Sequence, residues 1–358
     1  MLSARQAVRE LKEYHPPLAG RDGMRLDFNE NTSGCSPRVL QCLRAITAEE
    51  LARYPEREPA ERLAAQYLGI DPAQLLLTNG VDEAIHLLCE AYLEPGHEVL
   101  IVSPTFSMYE IYTSATGASV IRVQCDEDFA FPLSKVLANI RPTTRLIAVA
   151  SPNNPTGTAA SREQLLQIAN AAPDAAVLVD EAYFEFHGET VVHEIEATGN
   201  LFVARTFSKA YGLAGLRIGV LAGPPEQMPA LRRVSSPYNV NAVALAALPT
   251  ALEDQRYIDS YVSQVKNGRA RFAHLLETLG IQYWPSQANF LLIKIGERHR
   301  DFVIDMRQRG ILVRDRSSDP GCDGCVRITI GTDAQTDELV AAMKYVCDEL
   351  KLARGVAI

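Results

Sequence analysis

The sequence has no long hydrophobic run, no excess of positive charge and few lysines, and each shortage excludes something. No apolar stretch approaches the roughly 18 residues that a membrane-spanning helix requires. Lysine and arginine number 35 against 44 aspartates and glutamates, and the net charge of −9 leaves no basic face for a nucleic acid or an anionic membrane. Any anionic ligand must therefore be held by local arginines. The seven cysteines are odd in number and scattered, which argues against a disulfide framework. Cys322 and Cys325 form one C-x-x-C, but no second such pair completes a zinc site. That pair also precedes a strand-like run instead of opening a helix, so neither metal nor thiol chemistry is expected there. The first residues hold no apolar core of signal-peptide length, and Glu10 and Glu13 fit a transit peptide poorly, so the expected location is the cytoplasm. No G-x-G-x-x-G follows an apolar run, which disfavours a dinucleotide site.

What is present is an ordinary folded composition, 47% apolar and 22% charged, in 358 residues, long enough for a large domain plus a smaller one. Short Val/Leu/Ile runs alternate with helical patterns through the middle of the chain. "QLLLTNG" precedes a helical pattern over 81–93, with Val81, Ile85, Leu88 and Tyr92 on one face. "EVLIVSP", "RLIAVASPNNPTG", "AAVLVDEAY" and "NLFVARTFSK" follow. Apolar runs without polar alternation are the pattern of strands buried on both faces. The expected fold class is α/β: a large domain with a mostly parallel sheet covered by helices, over 40–245. A smaller α+β domain over 246–358 would hold a long helix ending near 279, the short strands "ANFLLIKI", "GILVRD" and "VRITIG", and a last helix marked by Leu339, Met343, Val346 and Leu350. Residues 1–39 are left as an N-terminal arm.

In open parallel sheets ligands bind beyond the carboxyl ends of the strands. Those ends carry Asn79-Gly80, the turn "SPNNPTG", Asp180 with Tyr183 one turn later, and Thr206, Ser208 and Lys209. Each alone has a plainer reading, as a helix cap, a Pro/Asn turn or a snorkelling lysine. Together they suit a single ligand, pyridoxal 5′-phosphate. Lys209, one of only seven lysines, would bond to the aldehyde, which needs an amine kept neutral by burial or cationic neighbours. Asp180 would pair with the pyridinium nitrogen, and Asn154 and Tyr183 would donate to the ring oxygen. The phosphate would rest on the N–H groups of Gly80, Val81 and Asp82 at a helix N-terminus, with Thr206, Ser208 and Arg217 completing the cradle.

This order of motifs resembles the fold-type I pyridoxal-phosphate aminotransferases, and within them the histidinol-phosphate aminotransferase subgroup. The resemblance covers nearly the whole chain: "FNEN" at 28–31, "RYPE" at 53–56, "TNGVDEAI" at 78–85, "SPTFSMY" at 103–109, "RTFSKAYGLAGLRIG" at 205–219, "SPYNVN" at 236–241, "VRD" at 313–315 and "RITIGT" at 327–332. It implies that Phe106, where the family often has tyrosine, stacks on the pyridine ring. It implies a homodimer with shared active sites, in which Tyr54 reaches the other subunit's cofactor phosphate and the arm packs with the small domain and the partner. Arg327 resembles the arginine that holds the substrate's anionic end and Arg314 the one that assists it. Tyr14 and Asn29 match positions that close over substrate, in a loop that here lacks the proline usual after Asn-Glu. The implied reaction moves an amino group from L-histidinol phosphate to 2-oxoglutarate, Lys209 acting as the base. An aromatic amino-acid aminotransferase and a threonine-phosphate decarboxylase share these motifs, and a non-catalytic regulator could keep the fold.

Overall fold

The computed structural model describes residues 2–15 and 20–352. Seven strands form its main sheet: β1 (Leu75–Thr78), β2 (Glu98–Ser103), β3 (Ser119–Gln124), β4 (Thr144–Ala150), β5 (Ala176–Asp180), β6 (Leu201–Thr206) and β7 (Gly219–Ala222). Their order across the sheet is β1-β7-β6-β5-β4-β2-β3. All neighbours pair in parallel except β7, which runs antiparallel to both β1 and β6. Successive residues of a strand face opposite sides of the sheet, so both faces must be covered. Val99, Ile101, Leu178 and Phe202 join the cluster under helix Val81–Tyr92, whereas Leu100, Val102, Val177 and Val203 join the one under helix Arg162–Ala171. This double coverage explains the unbroken apolar runs, and the largely parallel sheet expected from them is what forms.

Two strands were not legible as apolar runs. Edge strand β3 buries only Val123 and presents Ser119, Arg122 and Gln124 outward or at the rim. Strand β7 has four residues and follows a glycine-rich stretch. Its reversed direction matters for the site. Register pairs Gly219 with Thr78 on one side and Thr206 on the other, so β7 begins at the sheet edge where its neighbours end. Arg217, just before β7, is thereby delivered to the same edge as Gly80, Asp180 and Lys209. A Cβ on Gly219 would lie 2.8 Å from the Arg205 carbonyl oxygen, so only glycine lets these backbones approach.

The 245/246 division falls within helix Ala242–Glu253, which is followed by helix Gln255–Leu279. The latter buries Ile258, Val262, Val265, Phe272 and Leu276 along one face and stops at Gly280 in the left-handed region. Beyond it, β8 (Tyr283–Trp284), β9 (Phe290–Lys294), β10 (Arg314–Asp315) and β11 (Cys325–Thr329) make an antiparallel sheet in the order β10-β11-β9-β8. The run "GILVRD", expected as one strand, serves two sheets. Ile311–Leu312 pairs in parallel with Met24–Arg25 of the arm, and Arg314–Asp315 pairs with β11. One apolar cluster contains Leu75 of the main sheet, Phe272 of the long helix, Phe290 of the small sheet and Leu339 of the last helix, Asp333–Glu349. No helix among the described residues is long and apolar enough to cross a membrane.

Candidate active site

At the carboxyl edge of the main sheet a cavity of about 150 Å³ is lined by Phe106, Asn154, Asp180, Tyr183, Thr206, Ser208, Lys209 and Arg217. Asp180 ends β5 and is buried. One carboxylate oxygen accepts from the Tyr109 hydroxyl at 2.6 Å and the other from the Ala182 amide at 3.0 Å. Burial pushes its acid up to about 6, against the pull of both donors. Behind it lies a second buried carboxylate, Glu181, paired with Arg205 at 2.9 Å and also bonded to Thr190 and the Val191 amide. The turn 151–157 uses its two asparagines differently. Asn153 staples the loop, donating to the Pro104 carbonyl and to Thr156, both at 2.9 Å, and accepting from Thr105. Asn154 faces the cavity, and because its Oδ1 accepts from Arg327, its amide NH₂ is the end left to donate.

Tyr183 is fully covered, edge-on to Phe290, and its hydroxyl oxygen accepts from Asn29 Nδ2 at 2.9 Å, so its own proton is available. Lys209 donates to the Phe28 carbonyl at 3.1 Å. Burial first, and the Arg327 charge second, lower its ammonium from the usual lysine range to about 8. The cradle next to it is built from main chain and short polar groups. Helix Val81–Tyr92 starts at Gly80, which has positive φ and offers no capping side chain; the Gly80 amide is taken by the Thr78 carbonyl at 2.9 Å, and the Val81 and Asp82 amides remain open. A Cβ at Gly80 would sit 2.6 Å from an Arg217 guanidinium nitrogen. Arg217 is held by Asp82 at 2.8 Å. The buried Ser208 hydroxyl has no partner among the described residues, while the Ser208 amide donates to Thr206.

A second cavity opens from the first and shares Phe106, Asn154, Tyr183 and Lys209 with it. It adds Tyr14, Asn29, Arg314 and Arg327 to the lining. Arg314 and Arg327 are directly opposite each other on β10 and β11. Like charges in that position destabilise a sheet unless an anion is meant to lie over them. Arg327 is buried, donates to the Asp27 carbonyl at 2.6 Å, and is lowered to about 10 by burial, with Arg316 the next contributor. Asn29 is also buried, and its side chain is committed to Tyr183 and Thr329.

The family model described as aminotransferase class I and II matches residues 21–343. The chain belongs to that family. Among the relatives of this aminotransferase, the histidinol-phosphate aminotransferase of Dehalococcoides mccartyi strain CBDB1 is 36% identical, covering 89% of each chain. That of Moorella thermoacetica is 33% identical over 96% of this chain and 92% of its own. Among solved structures, histidinol-phosphate aminotransferase from Sinorhizobium meliloti in complex with pyridoxal-5′-phosphate superposes with a TM-score of 0.87 at 27% identity, over 96% of this chain and 97% of that one.

The structure brings ten of the expected residues, Val81, Asp82, Phe106, Asn154, Asp180, Tyr183, Thr206, Ser208, Lys209 and Arg217, into the first cavity, with Gly80 at its rim. Tyr54 is outside it, 79% exposed and stacked on Tyr238 at 4.4 Å. Sequence reasoning missed Tyr109, the partner of Asp180, although it lies one helical turn beyond Phe106. It missed Arg316, which follows Arg314 at the two-residue period that keeps side chains on one face. It also missed Asp27 and Phe28, whose main-chain carbonyls bond Arg327 and Lys209. A contact made through a carbonyl leaves no trace in residue type. The C-x-x-C has a packing role: Cys322 and Cys325 are buried with Phe129, Trp284 and Leu292, and no described His, Cys, Asp or Glu group could hold a metal.

Proposed function

We propose that this aminotransferase binds pyridoxal 5′-phosphate on Lys209 and moves the amino group of L-histidinol phosphate to 2-oxoglutarate, giving imidazole acetol phosphate and L-glutamate. The residues fit the cofactor: a buried amine, an uncapped helix N-terminus that a Cβ would fill, and an orphaned serine hydroxyl beside a guanidinium. When bound, the cofactor supplies a protonated ring that takes up the charge left on the substrate's Cα. Asp180 would hold that ring's N–H, Asn154 and Tyr183 would donate to its oxygen, and Phe106 would pack on it. The open Val81 and Asp82 amides that follow Gly80, with Thr206, Ser208 and Arg217, would hold its phosphate. Lys209, the only amine lining the first cavity among the described residues, would take the proton from the substrate's Cα and deliver it to the carbon that was the cofactor's aldehyde. Its lowered affinity for protons suits that task at neutral pH.

The single observation that carries the substrate assignment is the cross-strand pair Arg314 and Arg327 in the cavity that adjoins Lys209. Two guanidinium groups accept a phosphate in one half-reaction and a carboxylate in the other. The names of the relatives support the same amine. Tyr54, Tyr238, Leu40, Leu51 and Val234 are exposed, which supports a homodimer in which Tyr54 completes the partner's phosphate site. The test is single-turnover conversion of the bound cofactor to its amine form with histidinol phosphate, phenylalanine and threonine phosphate. A fast, saturable spectral change with histidinol phosphate, reversed by 2-oxoglutarate, is expected. A preference for phenylalanine would overturn the substrate while leaving the reaction class intact.

A further inference from the structure

Besides Arg314 and Arg327, five charged residues line the second cavity, Asp27, Lys209, Asp315, Arg316 and Asp319, and most are already matched. Asp27 receives Arg21 through two hydrogen bonds, at 2.8 and 3.2 Å. Asp315 is shared between the Ser317 amide at 2.8 Å and His299 at 3.1 Å. Arg316 and Asp319 form a contact ion pair across a tight turn, closed by the Asp319 amide on the Arg316 carbonyl at 2.9 Å. Arg314 and Arg327 make no ion pair among the described residues. Apart from Lys209, the cavity thus holds two uncompensated cations next to a third that is neutralised locally.

That third cation is firmly placed. The Arg316 amide donates to the Cys325 carbonyl at 3.0 Å, continuing the β10–β11 ladder, and the Cys322 amide donates to the Asp319 carbonyl at 3.0 Å. The turn is thereby seated on the buried Cys322 and Cys325. Its side chains are 17% and 20% exposed, and the buried Arg316 Nε has no partner. Asp319 engages a terminal nitrogen of the guanidinium, while Nε, like that of Arg327, is a buried donor without a partner among the described residues, behind the wall of the cavity that Arg316 lines.

We propose that Arg316, oriented by Asp319, is the specificity-determining residue that separates a phosphate-bearing substrate end from a carboxylate-bearing one. The proposal rests on the aminotransferase reading above and deepens it. A carboxylate carries one charge on two oxygens, which Arg314 and Arg327 can satisfy between them. A phosphate monoester carries nearly two charges on three terminal oxygens, and the third oxygen needs another donor. Arg316, whose side chain lines the cavity, supplies it from a guanidinium that Asp319 holds in place. The carboxylate of Asp319 keeps the local charge from rising to three, so that a singly charged end is not held too tightly to be released.

The experiment is calorimetric titration of the holoenzyme with two probes that lack an amine, imidazolylethyl phosphate and glutarate. Wild type is expected to bind both. Arg316→Gln should raise the dissociation constant of the phosphate ester about 30-fold and that of glutarate less than about 3-fold, as expected for one charge-assisted hydrogen bond. Equal losses for both probes, or no loss for either, would overturn the proposal alone. A wild type that binds glutarate but not the phosphate ester would overturn both the proposal and the histidinol-phosphate reading. Should Arg316→Gln fail to fold, Asp319→Asn decides the matter. It keeps an acceptor for Arg316 and removes a negative charge beside the dianion, so it should tighten the phosphate ester about 3-fold more than glutarate. An equal effect on both probes would again overturn the proposal.

Discussion

The two halves of the cleft are built on different plans. The half we propose for the cofactor is made of strand ends in one sheet, each contributing a short contiguous motif, with its buried carboxylate, Asp180, fixed by Tyr109 and a backbone amide. The substrate half is assembled from three distant segments, 27–29, 314–319 and Arg327, brought together by pairing between β10 and β11 and by the arm. The first half is set by the direction of the strands, and the second by their register. Direction survives many substitutions, whereas a register-built pocket changes with each loop that feeds it. The difference predicts where chemistry and where selectivity will respond to mutation.

The largest effect belongs to the cofactor half. Lys209→Ala removes both the point of attachment and the base, and should lower the single-turnover rate by at least about 10⁴-fold. Retention of the wild-type rate would sink the assignment. Next comes the substrate half: Arg327→Gln should lower kcat/KM about 100-fold, mainly through KM, because a buried charge that meets the substrate's anion is lost. A fall in kcat at constant KM would break the division between the halves, through Asn154, which Arg327 orients. The smallest effect tests the support behind Asp180. Its acid lies near 6 because burial outweighs its donors, and the Tyr109 hydroxyl favours the ionised form. Tyr109→Phe removes that preference, so the acid should titrate higher still. In the protein before it is loaded with cofactor, an infrared titration of the buried carboxyl should move up by about one pH unit. A midpoint that shifts downward or stays where it is would refute a role of Tyr109 through Asp180.

Legibility followed the same division. Asp180, Asn154, Ser208 and Lys209 could be read because each follows an apolar run, and the rule that ligands sit beyond strand ends converts that position into a role. Arg217 was assigned to the cradle for its permanent charge although it precedes β7, and only the reversed strand shows why it arrives at the same edge. Arg316 and Asp319 lie in a loop of ordinary polar residues. Nothing in the sequence indicates that the turn rests on Cys322 and Cys325. The splitting of "GILVRD" between two sheets was equally hidden, because hydrophobicity records burial and not the identity of the neighbour.

The segment Asp27-Phe28-Asn29 has a consequence for how this enzyme should be mapped. Its consecutive residues serve Arg327 through a carbonyl, Lys209 through a carbonyl and Tyr183 through a side-chain amide. An alanine scan would register Asn29, and would register Asp27 through its buried pair with Arg21, but it would miss both carbonyl contacts, since replacing Asp27 or Phe28 leaves the main-chain oxygen where it is. A one-residue deletion, by contrast, would slip all three contacts at once. Libraries of substitutions will therefore not report what Phe28 does for Lys209, whereas libraries of insertions and deletions will.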